Sequence, residues 1–210
     1  MDAVTEDLRR AVFSREIPVD QSITEVGLAT SYEVARPTAK AAIERLVAEG
    51  LFVRGPNRSA RVTKMDAAEI RDLYYARRIL EAEVICRLCE RGEVPEAAIA
   101  ANDELRAVGH VSSLDAVEPD LRFHGSLVTA LGSPRVAALY HGLLVGVRLC
   151  MSRVQAYGLL EPSEIADEHD RILRWIRAGD SAGATEELRS HFARACEHLV
   201  DAIDGAAAAG

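Results

Sequence analysis

Apolar residues recur every three or four positions along most of the chain, which is the spacing of one face of an α-helix. In the first 50 residues, breaks near 17–20 and 30–34 divide this pattern into three predicted helices. The third is expected to begin at Arg36-Pro37, because proline fits a first helical turn, and to end near Gly50. Two short apolar segments, 51–53 and 60–62, flank a basic turn and predict a β-hairpin.

Beyond residue 64 the helical spacing continues, with breaks near 92–95, 109–113, 132–134, 158–162 and 179–183. These breaks predict six helices. The expected fold is therefore mainly α, with an N-terminal winged helix-turn-helix domain over 1–64 that carries a small β-hairpin wing. An all-α six-helix bundle follows over 65–204, and a Gly/Ala-rich stretch over 205–210 predicts a flexible tail.

Composition narrows the possible classes. The chain has 210 residues, of which 49% are hydrophobic and 28% charged, so it can bury a core and is not expected to be disordered. No apolar run approaches the ~20 residues that a membrane span requires, and the first residues do not resemble a signal peptide. We therefore expect a soluble cytoplasmic protein without a membrane partner. The four cysteines are expected to be packing residues of helices.

Charge is distributed unevenly along the chain. The formal net charge is -8, yet residues 31–64 contain seven lysines or arginines and only three acidic residues. A basic segment in an otherwise acidic chain can bind a polyanion such as double-stranded DNA. In a winged helix-turn-helix, one helix enters the major groove and the wing lies beside it. The candidate DNA contacts lie on the third helix and in the basic turn: Arg36, Thr38, Lys40, Arg45, Asn57, Arg58 and Ser59.

The segment 35–51, together with 56–62, resembles the DNA-reading helix and wing of GntR-type bacterial transcription regulators. The resemblance implies that Arg36 and Lys40 approach base edges or phosphates and that residues 57–59 form the wing tip. Two positions depart from the family pattern. Val26-Gly27 stands where the family usually has an Arg-Glu pair, which removes a DNA contact, and Ser59 replaces the common wing glycine.

Three histidines and an aspartate interrupt the apolar stripes of the C-terminal helices. Asp120 and His124 share one face of a helix around 114–131, His169 lies in a helix around 164–177, and His191 lies in the last helix. Each could be a core residue with its own hydrogen-bond partner, but one shared cation would satisfy all four. Imidazole and carboxylate are good ligands for zinc or nickel, so the sequence predicts a divalent metal site.

The segments 118–124, 132–135, 168–173 and 188–191 are similar to the histidine sites of the C-terminal FCD domain of FadR-like regulators. This resemblance implies a metal-binding helical bundle with a small organic acid as effector. Arg77 also interrupts an apolar stripe, in a helix from Met65 to Arg91, and requires an anion. That anion is either Glu81, one turn further on, or an effector carboxylate; Arg148 is a second, weaker candidate for effector binding.

These patterns predict a homodimeric transcription repressor that binds operator DNA and is released by a small carboxylate metabolite. Two alternatives stay open. One is a metal-dependent enzyme that uses the His/Asp site, although no nucleotide-binding or nucleophile motif is found. The other is a regulator whose metal ion is purely structural. The prediction favoured here is a regulator rather than an enzyme.

Overall fold

The computed structural model of the protein describes residues 2–19, 21–56, 59–108, 113–154 and 161–208. The chain forms two compact units, Met1–Met65 and Asp66–Gly210. Most described residues are helical, and the few strand residues all lie in the N-terminal unit. The predicted fold class is confirmed.

In the N-terminal unit, the residues that the structure describes form three helices and a three-stranded antiparallel sheet. Its elements, in chain order, are α1 (Asp2–Phe13), β1 (Ile23–Thr24), α2 (Glu25–Ser31), α3 (Arg36–Ala48), β2 (Phe52–Arg54) and β3 (Ser59–Val62). The predicted hairpin is present as β2 and β3, in which Val53 pairs with Arg61. The strand order is β1-β3-β2, and β1 was not predicted, because two residues are too short to show an alternating pattern.

Helix α3 is anchored by one apolar face and presents the other face outward. Its residues Ala39, Ala42, Ile43 and Leu46 are buried, and the face packs on α1 and α2. Preceding it, Thr24 caps α2: its side-chain oxygen accepts a hydrogen bond of 3.0 Å from the amide of Gly27. These contacts fix α3 so that its basic side chains stay on the outer face.

The described residues of the C-terminal unit form six helices, the number predicted. They are α4 (Ala67–Arg91), α5 (Glu96–Ala107), α6 (Ser113–Ala130), α7 (Pro134–Val154), α8 (Pro162–Ala178) and α9 (Ser181–Ala208). The first begins with a capping box between Asp66 and Glu69 and ends at Gly92 in the left-handed conformation, with φ of 61°. Helix α4 packs on α6, α8 and α9, and α8 packs on α9, so that these four helices enclose a common interior.

The last helix extends into the segment predicted as a tail. Helix α9 continues to Ala208, so the predicted tail over 205–210 begins as helix. Alanine is the strongest helix former, so the single glycine in this segment does not end the helix. Within the described ranges, no helix combines the length and apolar character needed to cross a membrane.

We predict that Ile43→Ala destabilises the N-terminal unit by about 2–5 kcal/mol, because this fully buried side chain of α3 would leave a cavity. The matched control is Val26→Ala, which shortens an exposed side chain of α2 and should change stability by less than about 0.5 kcal/mol. Hydrogen exchange of peptides from residues 1–65 measures both. Equal effects of the two substitutions would contradict the packing described for α3.

Candidate functional site

The structure brings together the four polar residues that interrupt the apolar stripes. Asp120 and His124 come from α6, His169 from α8 and His191 from α9, and all four are buried. Each offers one ligand atom, and these atoms all lie within 4.8 Å of one another. The four-residue spacing between Asp120 and His124 places both on the same face of α6, as expected.

The ligand atoms are the Nε2 nitrogens of the three imidazoles and an oxygen of the aspartate. The Nε2 atoms of His124 and His191 are 3.2 Å apart. From Oδ1 of Asp120, the distance is 3.5 Å to Nε2 of His169 and 3.9 Å to Nε2 of His124. Three rings and one carboxylate therefore point at the same small volume.

Two of the imidazoles use their other nitrogen, Nδ1, to bind a carboxylate. Nδ1 of His124 lies 2.6 Å from Oε2 of Glu81, and Nδ1 of His191 lies 2.8 Å from Oε2 of Glu168. An ionised carboxylate accepts hydrogen bonds and cannot donate them. Nδ1 of each ring therefore carries the proton and donates it.

An amide performs the same task for the third ring. Nδ1 of His169 lies 3.0 Å from Oδ1 of Asn102. The amide nitrogen of Asn102 donates to the carbonyl of Ala166 at 3.0 Å and to Oδ1 of Asp170 at 2.8 Å, which leaves Oδ1 to accept. Nδ1 of His169 is thus also the protonated nitrogen.

A neutral imidazole that is protonated on Nδ1 has a lone pair on Nε2. Three such lone pairs and the charge of Asp120 therefore face one another in the interior. Nε2 of His169 has no hydrogen-bond partner in the described part of the chain. Buried polar atoms are normally paired, and a cation among these four atoms would pair them all. The donor set thus fits a bound metal ion.

Burial favours the neutral, metal-binding form of two of the rings, His169 and His124. It lowers the pKa of His169 well below its usual range, and the nearby His191 and His124 rings and the Arg77 guanidinium act in the same direction. Burial also lowers the pKa of His124, although Glu81 opposes that shift. For Glu81 the partners outweigh burial. Burial raises the pKa of this carboxyl group, but His124 and Arg77 lower it more. The net effect is a lowered pKa, so the carboxylate is ionised.

Arg77 lies in the interior beside this site, and its anionic partner is Glu81 of the same chain. Its Nε lies 3.3 Å from Oε1 of Glu81, its Nη2 lies 3.4 Å from the hydroxyl of Tyr140, and its guanidinium carbon lies 4.4 Å from the ring centre of Phe192. Glu81, one of the two anions considered from the sequence, is thus paired with Arg77. Arg148, the other candidate effector contact, donates to Glu118 on α6.

The outer partners of the histidines were largely missed from the sequence. Only Glu81 could be recognised in the sequence, because it lies one helical turn after Arg77. Glu168 was hidden because it lies beside His169 and reads as a solvated acid next to a candidate ligand. Asn102 and Tyr140 lie on helices that supply no ligand, and no spacing connects them to the histidines.

In the N-terminal unit, the predicted DNA contacts on α3 lie on its outer face. Arg36, Lys40 and Arg45 are exposed and Thr38 is half-buried. Lys40 lies 3.6 Å from Glu44 and Arg45 lies 3.3 Å from Glu49. Both side chains of the Lys40–Glu44 pair are exposed, so this pair is weak enough for Lys40 to exchange its partner for a phosphate. Glu49 is half-buried and also pairs with Arg9 of α1, so Arg45 shares its carboxylate partner.

Of the three predicted contacts in the wing, the structure describes one, Ser59. Asn57 and Arg58 lie outside the described residues. Ser59 is buried; its hydroxyl donates to the carbonyl of Pro56 at 2.7 Å, and its carbonyl accepts from the amide of Gly55 at 2.9 Å. A side chain at Gly55 would collide with the Ser59 hydroxyl, at 2.7 Å. Ser59 therefore shapes the turn instead of presenting its side chain outward, in contrast to its prediction as a DNA contact.

Comparisons with known proteins agree with this division of the chain. Residues 1–62 match the family described as bacterial regulatory proteins, gntR family, and residues 72–194 match the FCD domain. An uncharacterized HTH-type transcriptional regulator of Bacillus subtilis, YdhC, is 22% identical over 202 residues, which cover 94% of this chain and 89% of that protein.

Solved structures show the same fold. A transcriptional regulator from Rhodococcus sp. RHA1, described as GntR, superposes with a TM-score of 0.77 at 20% identity and covers 95% of this chain and 97% of its own. The metal-free FCD domain of another transcriptional regulator has a TM-score of 0.57 at 19% identity, covering 68% of this chain and 99% of its own.

The FCD match alone spans more than half of the chain, and the gntR match spans almost all of the N-terminal unit. Both matched families, and the relatives above, are transcription regulators and not enzymes. The chain therefore belongs to the GntR family of bacterial transcription regulators and carries an FCD domain after its DNA-binding domain.

Proposed function

We propose that the protein is a ligand-responsive repressor whose FCD domain holds a divalent metal ion at Asp120, His124, His169 and His191. The observation that carries this proposal is the convergence of three Nε2 lone pairs and one carboxylate, with every Nδ1 bound elsewhere. FCD domains often bind metal ions, which supports the same assignment.

The pairing of the buried charges favours a cation at the site. Arg77 pairs with Glu81, and Arg171 and Arg194 pair with Glu168. Among the described residues, no arginine or lysine pairs with the buried carboxylate of Asp120, whose neighbours are His124 and His169. A metal ion would supply the positive charge that Asp120 lacks. Zinc and nickel both accept a donor set of three imidazoles and one carboxylate.

The proposed effector is a small organic carboxylate. A bound metal ion would act as a Lewis acid toward a carboxylate oxygen, and four protein ligands leave coordination positions open on an octahedral ion. The proposal gives this role to the metal and not to Arg77 or Arg148, because each of these already has a carboxylate partner within the chain.

The DNA-binding part of the proposal rests on α3 and the wing. Arg36, Lys40 and Arg45 would face the major groove, and two copies of the chain would read the half-sites of a palindromic operator. A regulator of this kind acts on the chromosome, so the proposal places it in the cytoplasm. Effector binding would weaken DNA binding through a coupling free energy between the two units, which makes the protein a repressor.

We expect Arg36→Ala and Lys40→Ala each to weaken binding to a palindromic DNA selected from a random pool by about 1–3 kcal/mol, since each removes a base or phosphate contact. Arg10→Ala is the matched control, because Arg10 is an exposed arginine of α1 in the same unit. Mobility shifts at several salt concentrations measure all three. Unchanged affinity of both α3 variants would contradict the DNA-binding surface proposed here.

The metal and effector are tested together by thermal unfolding. Zinc or nickel should raise the melting temperature of the metal-stripped protein. At a metal concentration of 100 times the Kd, the free energy of unfolding should increase by about 2.7 kcal/mol. Small mono-, di- and tricarboxylates should raise it further only when metal is present. His169→Ala should abolish both effects, whereas His141→Ala, an exposed histidine of α7, should preserve them.

Two results would overturn parts of this proposal. If metal stabilises the protein but no carboxylate adds a metal-dependent shift, the ion is purely structural. If neither metal nor His169→Ala changes unfolding, the four residues are not a metal centre.

A further inference from the structure

Glu81 lies at the centre of a buried hydrogen-bond network formed by two helices that supply no metal ligand. Its Oε2 accepts from Nδ1 of His124 at 2.6 Å. Its Oε1 accepts from Nε of Arg77, also on α4, at 3.3 Å and from the hydroxyl of Tyr140 on α7. All four side chains are buried. The network therefore connects α4 and α7 to a ligand on α6.

The three partners of Glu81 divide its two oxygens between separate tasks. A buried carboxylate is costly unless it is paired and its lone pairs are bonded. Arg77 supplies the opposite charge and Tyr140 a neutral donor, both at Oε1, so Oε2 is left for His124. The hydroxyl of Tyr140 also lies 3.4 Å from Nη2 of Arg77, which closes the set. This geometry holds the carboxylate in one orientation toward the ring.

We propose that Glu81, held by Arg77 and Tyr140, is a positioning residue that fixes His124 in its Nδ1-protonated form and thereby sets the affinity of the centre for metal. This inference rests on the proposed metal centre and extends it to helices α4 and α7. It also assigns Arg77 a role in supporting Glu81 instead of binding the effector.

The other two histidines lack an equivalent network. The partner of His169 is the neutral amide of Asn102. The partner of His191 is Glu168, whose own cationic partners Arg171 and Arg194 have side chains 40% and 34% exposed. Among the described residues, Glu81 is thus the outer carboxylate whose contacts are all buried. Hydrogen bonds are electrostatically stronger in such a low-dielectric setting, so losing one donor there has a measurable effect.

The test uses two graded substitutions and one matched control. Glu81→Gln removes the charge at nearly constant volume, and Tyr140→Phe removes only the hydroxyl that bonds Oε1. Tyr75→Phe is the control, because it removes a hydroxyl from an exposed tyrosine of the same helix as Glu81. Zinc affinity is measured by competition with a chromophoric chelator, and the histidine tautomers of the metal-free protein are read by nitrogen-15 NMR.

We expect Glu81→Gln to weaken zinc binding by about 10–100-fold, the usual loss when an outer partner of a ligating histidine is changed. Tyr140→Phe should cause a smaller loss in the same direction, and Tyr75→Phe should leave the affinity unchanged. In the metal-free protein, the parent chain should show His124 protonated on Nδ1, and Glu81→Gln should populate the other tautomer.

A purely structural role for the network would give a different pattern. Both variants would then lower the melting temperature of the metal-free protein while the zinc affinity and the His124 tautomer stay as in the parent, and the inference would be wrong. If the parent chain itself binds no zinc, the proposed metal centre fails. The tautomer measurement still decides the positioning role of Glu81 in that case.

Discussion

The C-terminal unit is organised around one buried cluster of hydrogen-bond acceptors, in which three imidazole Nε2 lone pairs and the Asp120 carboxylate face one another. The Nε2 atoms of His124 and His191 are 3.2 Å apart, and the Asp120 carboxylate lies close to the other ring. Buried polar groups need partners, and imidazole and carboxylate are good ligands for divalent metal ions, so this donor set fits a metal ion.

The rest of the bundle serves this arrangement from outside. Helices α6, α8 and α9 supply the ligands, whereas α4 and α5 supply Glu81 and Asn102 to hold two of the rings, and α7 supplies Tyr140 to hold Glu81. Every helix of the unit therefore has a residue in the site or next to it. If the proposed metal ion is held there, a ligand that changes its coordination would act on contacts of all the described helices of this unit.

The sequence predicted what depends on periodicity. Because apolar residues return every three or four positions, His124, His169 and His191 could be placed on buried faces, and the six helices could be counted. It did not predict what depends on tertiary contact. Asn102 and Tyr140 carry no pattern of their own, the short strand β1 exists only because β3 pairs with it, and Ser59 turns inward because Gly55 leaves space for its hydroxyl.

The central claim is that the four residues bind one metal ion directly, and X-ray absorption of the zinc-loaded protein tests it most directly. Direct binding predicts a first coordination shell of nitrogen and oxygen at about 2.0–2.1 Å from the metal, with the multiple scattering of three imidazole rings. A shell containing sulfur at about 2.3 Å, or one without imidazole scattering, would place the ion elsewhere and contradict the account.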